Sequence, residues 1–213
     1  MKFVMSKAQI ITFVIAMMAI TNPIGNMAIF ASLTGDKTLQ EKRHSALIAG
    51  IAILIILIMV TWSGDLILDA FGIDIASFET AGGLIIALMG LSMLHAKTSA
   101  IHHGPDEAEE AKTKTSIAVV PVAIPLVAGP GAITTIVVNT HNYPSIEDKV
   151  IISIVSIVIG IILWAAFYFS APASKLLGVS GINIVTRIMG IILAAIAFGM
   201  MASGFKQLFP GLA

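Results

Sequence analysis

Cysteine is absent from this 213-residue chain. That excludes disulfides, thiolate metal sites and thiol redox chemistry, including electron transport through a Cys placed beside a broken helix. Charge is scarce: Asp, Glu, Lys and Arg make up 11% of the residues, against about 25% in an average soluble domain. Those charges cancel to a formal net of zero, so no basic footprint points to nucleic acid. No Walker loop, nucleophile–His–acid set or metal-ligand cluster is present in the sequence. An enzyme reading therefore has little to stand on, and no cofactor is implied. What the chain has in abundance is apolar surface. At 57% hydrophobic, it has the composition of an integral membrane protein whose first partner is the lipid bilayer.

A helical span needs roughly 20 apolar residues. Six segments qualify, with soft boundaries at 7–33, 45–68, 76–95, 116–139, 149–170 and 183–208, and they predict an all-α membrane protein. Lys2 and Lys7 before an apolar run resemble the start of a signal peptide. The run resumes after Asn22 with no small-residue cleavage site, so a retained span is expected. One hydrophilic stretch, 97–115, separates a first three-span half (1–96) from a second (116–213). It holds His102-His103-Gly104-Pro105-Asp106-Glu107 and reads as a solvated linker, a better account of its paired histidines than a metal site.

Two spans are interrupted where they ought to be continuous: Thr21-Asn22-Pro23-Ile24-Gly25-Asn26 and Ala128-Gly129-Pro130-Gly131-Ala132. Proline removes a backbone donor and clashes with the preceding turn, and glycine weakens the helix further. In hydrocarbon the freed backbone groups need protein or a water-lined cavity to satisfy them. The interruptions correspond: Pro23 and Pro130 lie 107 residues apart, and the same shift carries Gly83 onto Gly190 and Ala87 onto Ala194. A shift of 106 carries Gly25 onto Gly131 and Gly72 onto Gly178. Both third spans thus hold a small-xxx-small pair, which lets membrane helices approach closely. Because three is odd, halves that share a fold must cross the membrane in opposite senses. The expected architecture is two inverted three-helix repeats with discontinuous first and fourth spans. Connections after spans one, three and five hold seven Lys and Arg, and the opposite side holds four. The positive-inside rule then puts both termini on the non-cytoplasmic side.

A helix restarting after Pro23 or Pro130 exposes free N–H groups and the positive end of its dipole, suited to a carboxylate. The C-terminal end of a half-helix suits an ammonium group. The pair of breaks is therefore a candidate site for a small zwitterion, with Asn22, Pro23, Gly25, Asn26, Gly129, Pro130, Gly131, Thr134 and Thr135 as candidate substrate-binding residues. The plainer alternative is that Pro and Gly only kink packed helices, which membrane helices tolerate. Glu79 and Arg187 lie a few residues into the third and sixth spans. They are either an ion-coupling or charge-network pair of positions or residues reaching toward headgroups. Asp65, Asp69 and Asp74, around the second connection, are expected to face water, and His44 and His95 to be interfacial. Belt or packing roles suffice for Trp62 and Trp164.

At these residues the chain resembles the MarC family of bacterial and archaeal membrane proteins. The resemblance rests on Asn22-Pro23-Ile24-Gly25-Asn26, the run from Val119 through Pro121 and Pro125 to Ala132, Phe71-Gly72-Ile73, Ala81-Gly82-Gly83 and Thr186-Arg187-Ile188-Met189-Gly190. It extends through Phe209-Pro210-Gly211. It implies a six-span inner-membrane protein that transports small neutral amino acids, of the glycine and alanine kind, with proton coupling. Antibiotic efflux is not implied. Arg187 matches the family pattern, whereas Glu79 stands where many relatives carry a basic residue. The rivals are an exporter of another small solute or cation, which would want carboxylates within the breaks, and a non-transporting membrane scaffold.

Overall fold

The computed structural model describes residues 4–95 and 127–212. Seven α-helices and one 3-10 turn occur among them, and no strand. They are α1 (Lys7–Thr21), α2 (Pro23–Leu33), α3 (Leu39–Phe71), α4 (Ile75–Leu94), α5 (Pro130–Asn142), α6 (Ile146–Tyr168) and α7 (Ser170–Leu208), followed by the turn Pro210–Leu212. Five stretches are long and apolar enough to cross a membrane: Lys7–Leu33, Leu39–Phe71, Ile75–Leu94, Ile146–Tyr168 and Leu176–Leu208. The first of these is α1 and α2 taken together across their break. Of the expected fourth span only residues 127–139 are described. The linker 97–115, with its two histidines, and the run Val119 to Leu126 lie outside the described residues.

Local chemistry sets the helix ends. Ser6 and Gln9 form a capping box before α1, and Thr38 and Glu41 form one before α3. That second box starts α3 at Leu39, ahead of its apolar segment, so the helix outruns the expected span. Asp74 accepts from Ser77 N–H to start α4, and Ser145 accepts from Asp148 N–H to start α6. The caps Thr38 and Ser145 are 107 residues apart, as are Pro23 and Pro130, each at the first position of its helix. Gly72 and Gly178, 106 apart, both hold a positive φ, 64° and 62°. Gly72 ends α3 in the left-handed region; Gly178 (ψ 172°) puts a kink inside α7 in a conformation open only to glycine.

Small residues set the packing. A Cβ at Gly90 would stand 2.9 Å from the Gly190 carbonyl, and one at Gly190 would stand 2.8 Å from the Gly90 carbonyl. Gly83 meets Ala197 and Met201, and Gly204 meets Ala76 and Thr80. α4 therefore runs antiparallel to α7 with their backbones in near contact, as the small-xxx-small pairs require. α3 and α6 form a second antiparallel pair: Trp164 lies on Gly50, Leu54 on Gly160, and Trp62 Nε1 donates to Ser153 Oγ at 3.2 Å. Trp164 is thus a packing residue. On α3 the buried Ala46, Ala49, Ile53 and Leu57 face this core, while Leu47, Ile51, Ile55 and Met59 lie on the outer face. An outer face made of large apolar side chains is stable only against acyl chains. Phe30 of α2 stacks on Phe167 of α6, centroids 4.8 Å apart.

Met5 and the C-terminal end of α7 lie at one end of this bundle. Met5 N–H donates to Asp148 Oδ1 (2.7 Å) at the start of α6, and Lys149 pairs with Asp65 near the end of α3. The 72–74 turn then leads to Glu79, which accepts from Gln207 near the end of α7.

Candidate functional site

The first break closes on itself. Pro23 has no N–H, so the carbonyl of Ala19, four residues earlier, loses its helical donor. Asn22 takes the left-handed conformation (φ 35°, ψ 68°), which asparagine tolerates better than most residues. There it ends α1 and starts α2, and its side-chain oxygen accepts from Gly25 N–H at 3.2 Å. A Cβ at Gly25 would collide with that side chain, so the glycine is a condition of the cap. Asn26 adds a second clamp, donating from Nδ2 to the Thr21 carbonyl at 2.6 Å. Thr21, Asn22, Pro23 and Asn26 are all buried.

The second break is built from the same proline but without the clamp. Gly129 precedes α5 and has no side chain to cap it, and the first backbone bond runs from Ile133 N–H to the Gly129 carbonyl (3.1 Å). The amides of Gly131 and Ala132 belong to the first turn and have no helical acceptor. Both residues are buried, while Pro130 is exposed. A Cβ at Gly131 would stand 3.2 Å from Ile86, 3.3 Å from Ile20 and 3.3 Å from Met89. Thr134 is buried against Gly82 of α4. Thr135 is 3% exposed, and its hydroxyl has no hydrogen-bond partner among the described residues.

The Ile20–Gly131 contact brings the two breaks together. The C-terminal end of α1, with its carbonyls, meets the N-terminal end of α5, with its amides. One end of the contact is electronegative and the other electropositive.

Glu79 and Arg187 part company. Glu79 is 5% exposed and faces α7, accepting from Gln207 Nε2 at 3.2 Å with Ser203 beside it. Arg187 is exposed on α7 near the other end of the α4–α7 pair, and makes no ion pair among the described residues. One expectation needs correction. Asp69 and Asp74 are exposed, but Asp65 is half-buried and carries two contacts: Lys149 Nζ at 3.3 Å and His141 Nδ1 at 3.3 Å. Neutralising partners 84 and 76 residues away drew it inward. His44 and His95 are exposed at the opposite end.

Sequence reasoning also passed over Asp148, which is 1% exposed and accepts from Met5 N–H and Ser145 Oγ. Its signal was legible: Ser145-x-x-Asp148 repeats Thr38-x-x-Glu41 after 107 residues. An apolar cavity of ≈ 310 Å³ lies between α3, α4 and α5, lined by Val60, Gly64, Phe71, Phe78, Ile133 and Val137. It does not include the break residues. Among the described residues no group of His, Asp and Glu is placed to hold a metal.

Comparison with known proteins adds the lineage. Residues 7–209 match the profile of the MarC family integral membrane proteins. The chain is 37% identical to the UPF0056 membrane protein YvbG of Bacillus subtilis over 201 residues, 93% of this chain and 94% of that one. It is 35% identical to the UPF0056 membrane protein YhcE of Escherichia coli over 200 residues, 94% and 93% of the two chains. A UPF0056 membrane protein of Pyrococcus horikoshii is 36% identical over 193 residues, 91% and 92% of the two chains. No solved structure matches at a significant level. An all-helical bundle with a lipid-facing apolar surface, matched over nearly its whole length, belongs to the MarC family of multi-pass integral membrane proteins.

Proposed function

We propose that the protein is a secondary transporter of small neutral amino acids, of the glycine, alanine and serine kind, in the cell (inner) membrane. Its halves are inverted three-span repeats, both termini are non-cytoplasmic, and alternating access proceeds about the two breaks. One observation carries the reading: the carbonyl end of α1 and the uncapped amide end of α5 meet at Ile20 and Gly131. That pairing suits the ammonium and carboxylate of one zwitterion, with no carboxylate side chain within either break. The tight surroundings of Gly131 and Thr134 favour a ligand of few heavy atoms. The landmark pairs 106 or 107 residues apart, together with the antiparallel packing of α3 on α6 and α4 on α7, support the inverted repeat. Lys37, Lys42 and Arg43, between the first two spans, lie at the end opposite Met5 and Gln207 and support the orientation. No chemical step on the substrate is assigned.

Glu79, a buried carboxylate on a spanning helix, is the residue we assign to proton coupling. The test is uptake of labelled glycine, alanine, serine and threonine into proteoliposomes, with and without an imposed pH gradient. Gradient-driven accumulation that Glu79→Gln abolishes, while exchange persists, is the expected result. Flux of none of the four removes the transport reading in favour of a scaffold. Flux indifferent to the gradient removes coupling alone.

A further inference from the structure

Access to the breaks requires α5 to move. Its first turn is wedged by Gly131 against α1 and α4, and Thr134 lies on Gly82. These are apolar contacts that can slide. The polar hold is elsewhere: among the described residues, His141 to Asp65 is the one side-chain hydrogen bond or ion pair from α5 to another helix. His141 is in the last turn of α5, Asp65 is on α3, and Asp65 also holds Lys149 of α6. Three helices thus converge on one half-buried carboxylate. The corresponding place in the first half is built differently. Shifted by 107, Lys149 becomes Lys42 and His141 becomes Thr34. Lys42 Nζ donates to the Gly35 carbonyl at 3.2 Å, and Thr34 bonds back into its own helix. Among the described residues no ion pair ties the end of α2.

We propose that Asp65, with His141 and Lys149, is a latch that holds α5 against α3 and α6, and that its release opens the second break toward the face bearing the termini. This rests on the transport reading of the breaks. Asp65 is the member that both contacts share, so removing its charge frees α5 and α6 together, whereas losing the His141 ring frees α5 alone.

The chain has no cysteine, so Ala132→Cys makes a single reporter at a fully buried position of α5. The full-length protein in lipid nanodiscs is treated with a membrane-impermeant maleimide and the labelling rate followed. Asp65→Asn should raise the rate about fivefold or more, the size of a modest conformational coupling. His141→Ala, which removes the α5 contact and leaves Lys149 on Asp65, should raise the rate as well, by less than Asp65→Asn. Wild-type rates in either variant overturn the latch. Should Asp65→Asn fail to give monodisperse protein, His141→Ala decides alone. Labelling needs no substrate. Loss of amino acid uptake with latch-dependent labelling sinks only the transport reading; latch-independent labelling with intact uptake sinks only the latch.

Discussion

The two breaks share a proline at the first helical position and differ in almost everything that surrounds it. At the first, Asn22 and Asn26 satisfy the freed backbone groups from within, and Gly25 makes room for the Asn22 side chain. At the second, Gly129 offers no side chain, and the amides of Gly131 and Ala132 are buried with no helical acceptor. First-turn amides of a helix look for an acceptor outside the helix. The two breaks therefore differ in kind. The first is capped by its own side chains. The second has no side-chain cap, and on the proposed reading it is the end that takes a carboxylate.

The largest expected effect strikes the second break. Gly131→Leu should reduce uptake to background while membrane insertion persists, because its side chain must displace Ile20, Ile86 and Met89 together. Uptake at wild-type rate in a verified, inserted variant breaks the comparison outright. Next comes the α4–α7 seam. Gly90→Leu would push apart the α4 and α7 backbones and should destabilise the detergent-solubilised protein by about 1–3 kcal/mol, read as a fall in Tm.

The paired glycines sharpen the contrast between halves. Neither Gly72 nor Gly178 has an atom within 4 Å of a Cβ, so alanine at either tests backbone strain alone. Gly178→Ala should cost about 1–3 kcal/mol. Gly72→Ala, in the ordinary left-handed region, should cost about 1–2 kcal/mol and less than its partner. Equal Tm values would contradict the order. The smallest effects fall on the first break. Asn22→Ala should cost about 1 kcal/mol, the loss of a helix cap. Gly25→Ala removes the same hydrogen bond by collision. The double variant should therefore be no less stable than the worse single one, and additive losses in a double-mutant cycle would refute the shared-cap account.

Much of this was legible in the chain, for physical reasons that can be named. Pro23 and Pro130 announce their breaks to the residue because a missing N–H has few places in a helix, and both stand at the first position. The glycine pairs announced the α4–α7 seam because only backbone-to-backbone approach makes use of them. Helix ends were less legible where a capping box lies outside the apolar segment, as at Thr38 and Glu41. Hydropathy reports the span, not the helix. Asp65 was misjudged as a surface carboxylate because its partners are supplied by the other half of the chain. The left-handed turn of Asn22 and the open hydroxyl of Thr135 also depend on tertiary placement, which no local pattern encodes.

On the proposed transport reading, the second break holds the carboxylate of a small zwitterion. Binding of labelled alanine to the purified, reconstituted protein tests it most directly, with unlabelled alanine and alaninamide as competitors and Gly131→Leu as the blocked site. The account predicts that alanine competes, that alaninamide, lacking the carboxylate, does not, and that Gly131→Leu binds neither. Equal competition by alaninamide, or undiminished alanine binding in Gly131→Leu, would contradict it.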